Sequence, residues 1–189
     1  MKPSFLARAT VSALLVSYGM IQNDLITMAA AFLFTPFLAQ VMAAGFGLIT
    51  REWRLALQGG IALGVSTVIT VVAGVVVASL TGGPLQYDNF SPLLVNFLIS
   101  LVVGVVSALS TADAAGRREL IGMAAAAQFA VYPAWFGIML VLGLPDPSLV
   151  GQRWLTFLVN ILTILAVSVG IYLSVRYGGD VLKRYSEKV

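Results

Sequence analysis

Hydrophobic positions along this chain fall into six long runs that are separated by short polar segments. The runs cover about residues 5–21, 25–49, 55–80, 93–112, 120–144 and 154–175. Most of them reach the roughly 20 residues that an α-helix needs to cross the hydrocarbon core of a bilayer. The pattern therefore predicts an all-α polytopic membrane protein with six transmembrane helices, forming one domain over residues 1–189.

Two of the predicted spans share an ordered set of features. The second span reads LITMAAAFLFTPFLAQVMAAGFGLI and the fifth reads LIGMAAAAQFAVYPAWFGIMLVLGL. Each has a Met-Ala-Ala-Ala start, a proline near its middle and a Gly-Leu exit. We predict that Pro36 and Pro133 both break their helices, because the ring removes a backbone donor and clashes with the preceding turn. The freed carbonyls would lie near Phe32 and Phe129.

The likeness extends to the spans that follow, which favours two units of three spans. The units cover about residues 5–80 and 93–175, and residues 176–189 form a polar tail. Because three is odd, the second unit would enter the membrane from the opposite side, as an inverted repeat. The alternative is that Ala-rich spans resemble one another by composition, since proline is common in membrane helices.

The first apolar run is the shortest and fits either a signal-peptide core or a short first span. No small-x-small cleavage site follows it: the segment SYGMIQND leads directly into the next run. This favours a first transmembrane helix.

Basic residues indicate the orientation of the spans. With the N-terminus inside, only Arg153 of the eleven basic residues lies outside. The others fall on the cytoplasmic side: Lys2, Arg8, Arg51, Arg54, Arg117, Arg118, Arg176, Lys183, Arg184 and Lys188. The positive-inside rule then predicts that both termini are cytoplasmic. In the polar loop at 81–92, Tyr87 and Phe90 are predicted anchors at the membrane interface.

Composition narrows the function classes. The chain is 59% hydrophobic and 10% charged, and it contains no Cys and no His. This removes thiol chemistry, the usual zinc sites and histidine bases, so we expect neither an enzyme nor a cofactor. The basic residues are scattered and form no stripe, which argues against nucleic acid as a partner.

Polar side chains cluster around the two predicted breaks. Thr35 and Gln40 flank the first, and Gln128 and Tyr132 flank the second. The candidate pathway residues are Thr35, Pro36, Gln40, Asn96, Gln128, Tyr132, Pro133 and Asn160. These neutral dipoles could line a polar path at the membrane midplane. The alternative is that they only bridge helices or cap the kinks.

No acidic or basic residue lies deep in a predicted span, which argues against a proton-driven pump. The pattern favours a channel or a carrier for a small ion or solute. The rival hypothesis is a non-catalytic structural or accessory subunit of a larger membrane complex. Expected partners are membrane lipid and either further copies of the chain or a membrane-complex partner. The small residues Gly60 and Gly64 could pack within the chain or between subunits.

The chain also resembles a known family. Three segments show the resemblance. The first runs from SYGMIQNDLITMAAAFLF to LQGGIAL, the second is LLVNFLISLVVGVVSALSTADAAGRRELIGMAAAAQFAVYPAWFGIMLVLG, and the third is WLTFLVNILTI. They are similar to the integral-membrane region of the bacterial and archaeal family called domain of unknown function 389. The resemblance marks Pro36, Pro133 and Asn160 and implies a prokaryotic cytoplasmic (inner) membrane. The fifth span departs from the family in having a single proline, Pro133, where a Pro-Pro pair is expected. The family has no settled activity, so the resemblance implies no substrate.

Overall fold

The computed structural model describes residues 3–112 and 118–186, and within them the side chains of residues 3–108, 124–171, 173 and 174. In these ranges the chain forms seven α-helices and no strand. They are α1 Pro3–Gln22, α2 Leu25–Phe34, α3 Phe37–Ile49, α4 Trp53–Thr81, α5 Leu93–Ala112, α6 Arg118–Leu142 and α7 Pro147–Ser186. Lys2, Arg117 and Lys188 of the predicted orientation lie outside the described residues. The predicted all-α class is confirmed.

The seven helices cover the six predicted apolar runs, with α2 and α3 sharing the second run. Five segments of the described chain are long and apolar enough to cross a membrane: Pro3–Gln22, Leu25–Ile49, Trp53–Thr81, Ala124–Leu142 and Pro147–Ile171. Helix α5 is a further apolar helix, and it has the bounds predicted for the fourth span.

Burial in this bundle is the reverse of that in a soluble protein. Large apolar side chains face outward, with Ile26 82% and Leu80 80% exposed. Several polar side chains are buried instead, among them Ser17, Ser100 and Asn160, each with no exposed surface. An apolar exterior, with polar side chains buried and hydrogen-bonded among apolar ones inside, is the arrangement that lipid favours. The chain is therefore a helical membrane protein.

Helix α1 packs as a full member of the bundle. Val16 and Met20 are completely buried, and the helix contacts α2, α4 and α6. It joins α2 through a tight turn in which the Asp24 N–H donates to the Gly19 carbonyl at 2.8 Å. The Asp24 carboxylate then accepts from the N–H groups of Ile26 and Thr27 and so caps α2. The first apolar run is thus a helix packed in the bundle, as predicted for a first span.

Helices α4 and α6 cross in backbone contact. A Cβ added to Gly137 would lie 2.0 Å from the Val71 carbonyl oxygen, and one added to Gly74 would lie 2.6 Å from the Ala134 carbonyl oxygen. Only glycine permits such a close approach. Gly60 and Gly64 differ, because a Cβ there meets nothing within 4 Å. This small-residue face has no packing partner in the described chain.

The predicted break at Pro36 is confirmed. Helix α2 ends at Phe34, Thr35 is extended with φ −72° and ψ 121°, and α3 begins at Phe37. A residue before proline is driven out of the helical region by the proline ring.

The predicted break at Pro133 is wrong, because α6 continues through that residue. All five residues from Val131 to Trp135 are buried. Neighbouring helices therefore enclose this stretch on every side and keep it helical in spite of its proline.

Helix α7 is longer at both ends than predicted. It begins at Pro147, where the missing proline N–H is not needed, and the Asp146 carbonyl accepts from Leu149 and Val150. Arg153 therefore lies in the second turn of a helix. At the other end the predicted tail of residues 176–189 is helical as far as Ser186.

Candidate functional site

The break at Pro36 lies in the wall of a cleft formed mainly by α1 and α4. The cleft has a volume of about 760 Å³. Its lining consists of Ser4, Phe5, Arg8, Pro36, Gln58, Ile61 and Ala62. Helices α1 and α4 both start at the same end of the bundle, so this first cleft runs from that end toward the middle of the α2–α3 span.

Hydroxyl groups satisfy the backbone at the break. The Ala31 carbonyl accepts from the Ser12 hydroxyl at 2.9 Å and from the Thr35 hydroxyl at 3.0 Å, and the two hydroxyls also hydrogen-bond each other. The Thr35 N–H donates to the Phe32 carbonyl. Thr35 thus caps the interrupted end of α2 and ties it to α1.

Gln40 follows the break and bridges two helices. Its side chain is 5% exposed, and its Nε2 donates to the Ser66 hydroxyl of α4 at 2.7 Å. Its Oε1 is buried without a hydrogen-bond partner. Leaving a buried acceptor unpaired costs roughly 1–3 kcal/mol of folding free energy. The Gln40 Oε1 is therefore a strong acceptor that is free to take a hydrogen bond close to the break.

The second polar group is centred on Asn160. Its Nδ2 donates to the Gln128 carbonyl at 3.1 Å and to Gln128 Oε1 at 3.2 Å, and its Oδ1 accepts from Ser100 at 3.1 Å. The Tyr132 hydroxyl interacts with the side chains of both Asn160 and Asn96. Asn160 therefore connects α5, α6 and α7, and the structure brings four of the predicted residues together here.

A second cleft reaches this polar group. It has a volume of about 180 Å³, and three predicted residues, Asn96, Gln128 and Tyr132, line it. Asn96 also ties the first turn of α5 to the preceding segment, because its Nδ2 donates to the Ser91 carbonyl at 2.7 Å. The start of α2 at Leu25 and the segment after α4 complete the wall. Both belong to the opposite end of the bundle from the first cleft, so the two clefts open on opposite faces.

A pair of buried aromatic rings joins the residues next to the two groups of polar residues. Phe37 follows Pro36 and is 1% exposed, and Phe129 follows Gln128 and is 0% exposed. Their ring centroids are 6.1 Å apart at an interplanar angle of 54°. The predicted single midplane cluster is therefore divided. Thr35 and Pro36 lie with the first cleft, Gln128 and Tyr132 line the second, and Pro133 is buried one turn beyond Phe129.

Sequence reasoning missed the role of residues 82–92, which we call the outer strap. Tyr87 and Phe90 stay predicted interface anchors, and the strap also packs them against the bundle. The Phe90 ring lies 5.2 Å from Tyr87, 5.8 Å from Tyr132 and 6.2 Å from Trp135 between centroids. The Tyr87 N–H donates to the Met20 carbonyl at 3.1 Å. Burial raises the pKa of the Tyr87 phenol, and the nearby Arg153 opposes that rise.

Arg153 completes this outer region. Its guanidinium carbon lies 3.8 Å from the centre of the Phe90 ring, which is a cation–π contact. Arg153 is the one basic residue that the predicted orientation puts outside, and this was the sequence signal that could have singled it out. Its aromatic partner could not be predicted, because Phe90 lies more than 60 positions away in the chain.

Comparison with known proteins gives one match. No curated protein and no solved structure matches the chain. The family model described as Domain of unknown function (DUF389) matches residues 28–166, which is more than half of the chain. The match includes Pro36, Pro133 and Asn160, the positions that the sequence resemblance marked. The chain therefore belongs to the DUF389 family.

Proposed function

We propose that this protein is a non-catalytic channel or carrier that moves a small ion or solute across the membrane. The observation that carries the proposal is the pair of clefts that open on opposite faces, each lined by the residue that precedes one ring of the same buried aromatic pair. We place both chain ends on the cytoplasmic side of a prokaryotic inner membrane, because that orientation puts most basic residues inside.

The aromatic pair acts as the closed point of the path. Residues adjacent to Phe37 and Phe129 line the first and second clefts respectively. Two rings that are almost completely buried leave no room for water between the clefts, and apolar constrictions of this kind gate membrane pores by excluding water. Movement of a solute then requires the two rings to separate.

The break at Pro36 supplies a hinge for that movement. Helix α3 carries Phe37 directly after the extended Thr35, so a rotation about Thr35 moves the ring without unfolding either half-helix. Hinges are commonly a few residues at the ends of elements. Phe129 belongs to the continuous helix α6 and provides the fixed side of the gate.

Helix packing supports an inverted repeat as the basis of the path. Contacts of α1 with α2 and α4 correspond to those of α5 with α6 and α7. The contact of α4 with α6 likewise corresponds to that of α7 with α3. Two such units, related by an axis in the membrane plane, would place the two proline-containing spans next to each other at the midplane.

The second candidate is a structural or accessory subunit, which the open face at Gly60 and Gly64 favours. This face is exposed, and close helix packing in lipid relies on small residues of this kind. The same face would serve a homo-oligomer. Native mass of the protein in mild detergent separates the two: further copies of the chain agree with a transporter, whereas a stoichiometric foreign partner agrees with the accessory role.

Flux through proteoliposomes tests the transport proposal. The panel is potassium, chloride, acetate and glycerol, and the key variant is Phe129→Ala, with Phe34→Ala as a matched control because Phe34 is 51% exposed. Removing the buried ring should raise the flux of at least one solute well above that of the wild type, and the control should not. Phe129→Leu provides a milder opening if the alanine variant does not fold. Folded variants whose flux equals that of empty liposomes for every solute would contradict the proposal.

A further inference from the structure

The outer strap covers a third cleft with a chemistry of its own. This outer cleft has a volume of about 600 Å³. Arg153 and Asp88 contribute its charges, and Phe90, Trp135, Leu142 and Leu149 contribute much of its apolar wall. It shares Tyr87 and Phe90 with the second cleft, so the strap separates the two. A solute held here would be one aromatic layer away from Gln128 and Tyr132.

Arg153 is arranged to bind an oxyanion. Its guanidinium carbon lies 3.8 Å from the centre of the Phe90 ring, and this contact provides no oxygen acceptor for the guanidinium N–H groups. Its Nε is buried and has no hydrogen-bond partner. A buried charged donor without an acceptor is costly, which leaves this guanidinium short of acceptors. The terminal nitrogens of a guanidinium form a fork that a carboxylate in the cleft matches with two parallel hydrogen bonds.

The charge and the walls of the cleft narrow the ligand. Arg153 supplies one positive charge, and Asp88 in the same lining acts on it through space. A second negative charge on the ligand would be repelled by Asp88. The Trp135 ring and the leucines favour an apolar body next to the charged group.

We infer that the outer cleft binds a small organic monocarboxylate, with its carboxylate on Arg153 and its apolar body against Trp135. The inference deepens the proposed function and rests on it for the movement of the anion, whereas binding stands on the cleft alone. Arg8 lines the first cleft at the opposite face. An arginine in each of these clefts would attract anions to both ends of the path.

Benzoate is the probe, because it combines one carboxylate with an apolar ring. Its binding to the purified protein in detergent is measured by titration calorimetry and by intrinsic tryptophan fluorescence, with Trp135→Phe assigning the signal to Trp135 among the three tryptophans. Benzamide is the neutral control ligand. The account predicts saturable benzoate binding with the tryptophan signal changing in step, and much weaker binding of benzamide.

Substitutions at Arg153 and at Asp88 should change the affinity for benzoate in opposite directions. Arg153→Gln should weaken benzoate binding by about tenfold or more, the loss expected when a charge-assisted hydrogen bond is removed. Arg153→Lys should recover part of the affinity, because it keeps the charge without the fork. Asp88→Asn should strengthen benzoate binding, because it removes a negative charge from the cleft. Arg54→Gln is the control and should leave benzoate binding unchanged, because Arg54 lies at the start of α4, whereas the strap follows the end of α4. Equal affinity of the wild type and the Arg153→Gln variant would overturn the inference.

A lipid headgroup is the other source of a monovalent oxyanion. Benzoate titrations are repeated in nanodiscs of phosphatidylcholine alone and with phosphatidylglycerol added. Retained benzoate affinity in both supports a free solute. Loss of benzoate binding when phosphatidylglycerol is present, together with Arg153-dependent lipid retention, would assign the cleft to lipid and overturn the inference. Benzoate binding without flux of any solute would contradict the transport proposal and leave the inferred binding site in place.

Discussion

Pro36 and Pro133 occupy matching positions in two similar apolar runs, yet only Pro36 interrupts its helix. Around the first proline the chain is partly exposed, with Leu33 52% and Phe34 51% exposed at the end of α2. Around the second proline every residue from 131 to 135 is buried. The same local chemistry therefore has two outcomes, and the difference lies in the neighbours.

Helix α4 is the neighbour that matters most. Its backbone contacts α6 at Gly74 and Gly137, one turn beyond Pro133. On the other side, Asn160 of α7 donates two hydrogen bonds to Gln128. In α6, packing offsets the backbone hydrogen bond that the proline cannot make. In the α2–α3 span, the hydroxyls of Ser12 and Thr35 hydrogen-bond the carbonyl that the break leaves free. One half of the molecule thus has an interrupted span and the other a continuous one.

The largest expected effect comes from removing the α4–α6 contact. Gly137→Val forces a side chain into the Val71 carbonyl, and overpacking of this kind costs about 3 kcal/mol or more when the backbone must move. The expected result is a large fall in the midpoint of thermal unfolding in detergent, followed by circular dichroism. Gly60→Val is the matched control, since a Cβ at Gly60 meets open space. Equal stability of the two variants would show that the crossing does not hold α6.

A smaller loss is expected from Asn160→Leu. The change removes hydrogen bonds to Gln128 and Ser100 and leaves their buried groups unpaired. Interhelical hydrogen bonds in membranes are each worth about 0.6 kcal/mol and up to about 1.7 kcal/mol, so a total of about 1–2 kcal/mol is expected. Urea or thermal unfolding measures it, with the exposed Gln152→Leu in the same helix as control. An unchanged stability would remove Asn160 as a connector of the half with the continuous span.

The two prolines themselves give the sharpest contrast at a modest energy. Pro36→Ala should let α2 and α3 join, so amide hydrogen exchange slows across residues 33–39 and any flux falls with the loss of the hinge. Pro133→Ala should add one backbone hydrogen bond to a helix that is already formed, a gain of about 1 kcal/mol. Its exchange pattern should change little. Similar exchange effects at both sites would contradict the difference drawn between the halves.

The smallest effect is a pH dependence at the start of α2. Hydrogen bonds from the Thr27 side chain and backbone lower the pKa of the Asp24 carboxyl below its usual 3.8. Since the folded pKa is the lower one, the stabilisation is fully present above the unfolded pKa and is lost as the pH falls through the folded value. The thermal stability of the wild type should therefore fall slightly below about pH 4 relative to that of Asp24→Asn. Thermal unfolding measured over a series of pH values gives this difference. Parallel pH profiles of the two proteins would exclude a role for this cap.

The sequence predicted the elements better than their contacts. Helix α5 has its predicted bounds, and the break at Pro36 follows from a rule that involves adjacent residues. The meeting of Gln128, Tyr132 and Asn160 was also predicted, because polar groups in lipid must find one another. These features depend on local pattern or on a general demand of the membrane.

The features that the sequence did not predict depend on distant neighbours. Pro133 stays helical because of glycines in α4 and α6 that no local rule connects. Phe90 points inward because Arg153, Tyr132 and Trp135 surround it. The division of the predicted pathway by Phe37 and Phe129 likewise arises from a contact between residues 92 positions apart.

Cysteine accessibility tests the central claim, that two clefts approach a closed aromatic gate from opposite faces. The chain has no cysteine, so single substitutions give a clean background. Ala62→Cys lies in the first cleft, Ala127→Cys in the second, and Ala31→Cys in the buried region near the gate. Each is treated in oriented proteoliposomes with a membrane-impermeant thiol reagent. We predict labelling of position 62 from one face, of position 127 from the other and of position 31 from neither. Labelling of positions 62 and 127 from the same face, or of neither from any face, would contradict the account.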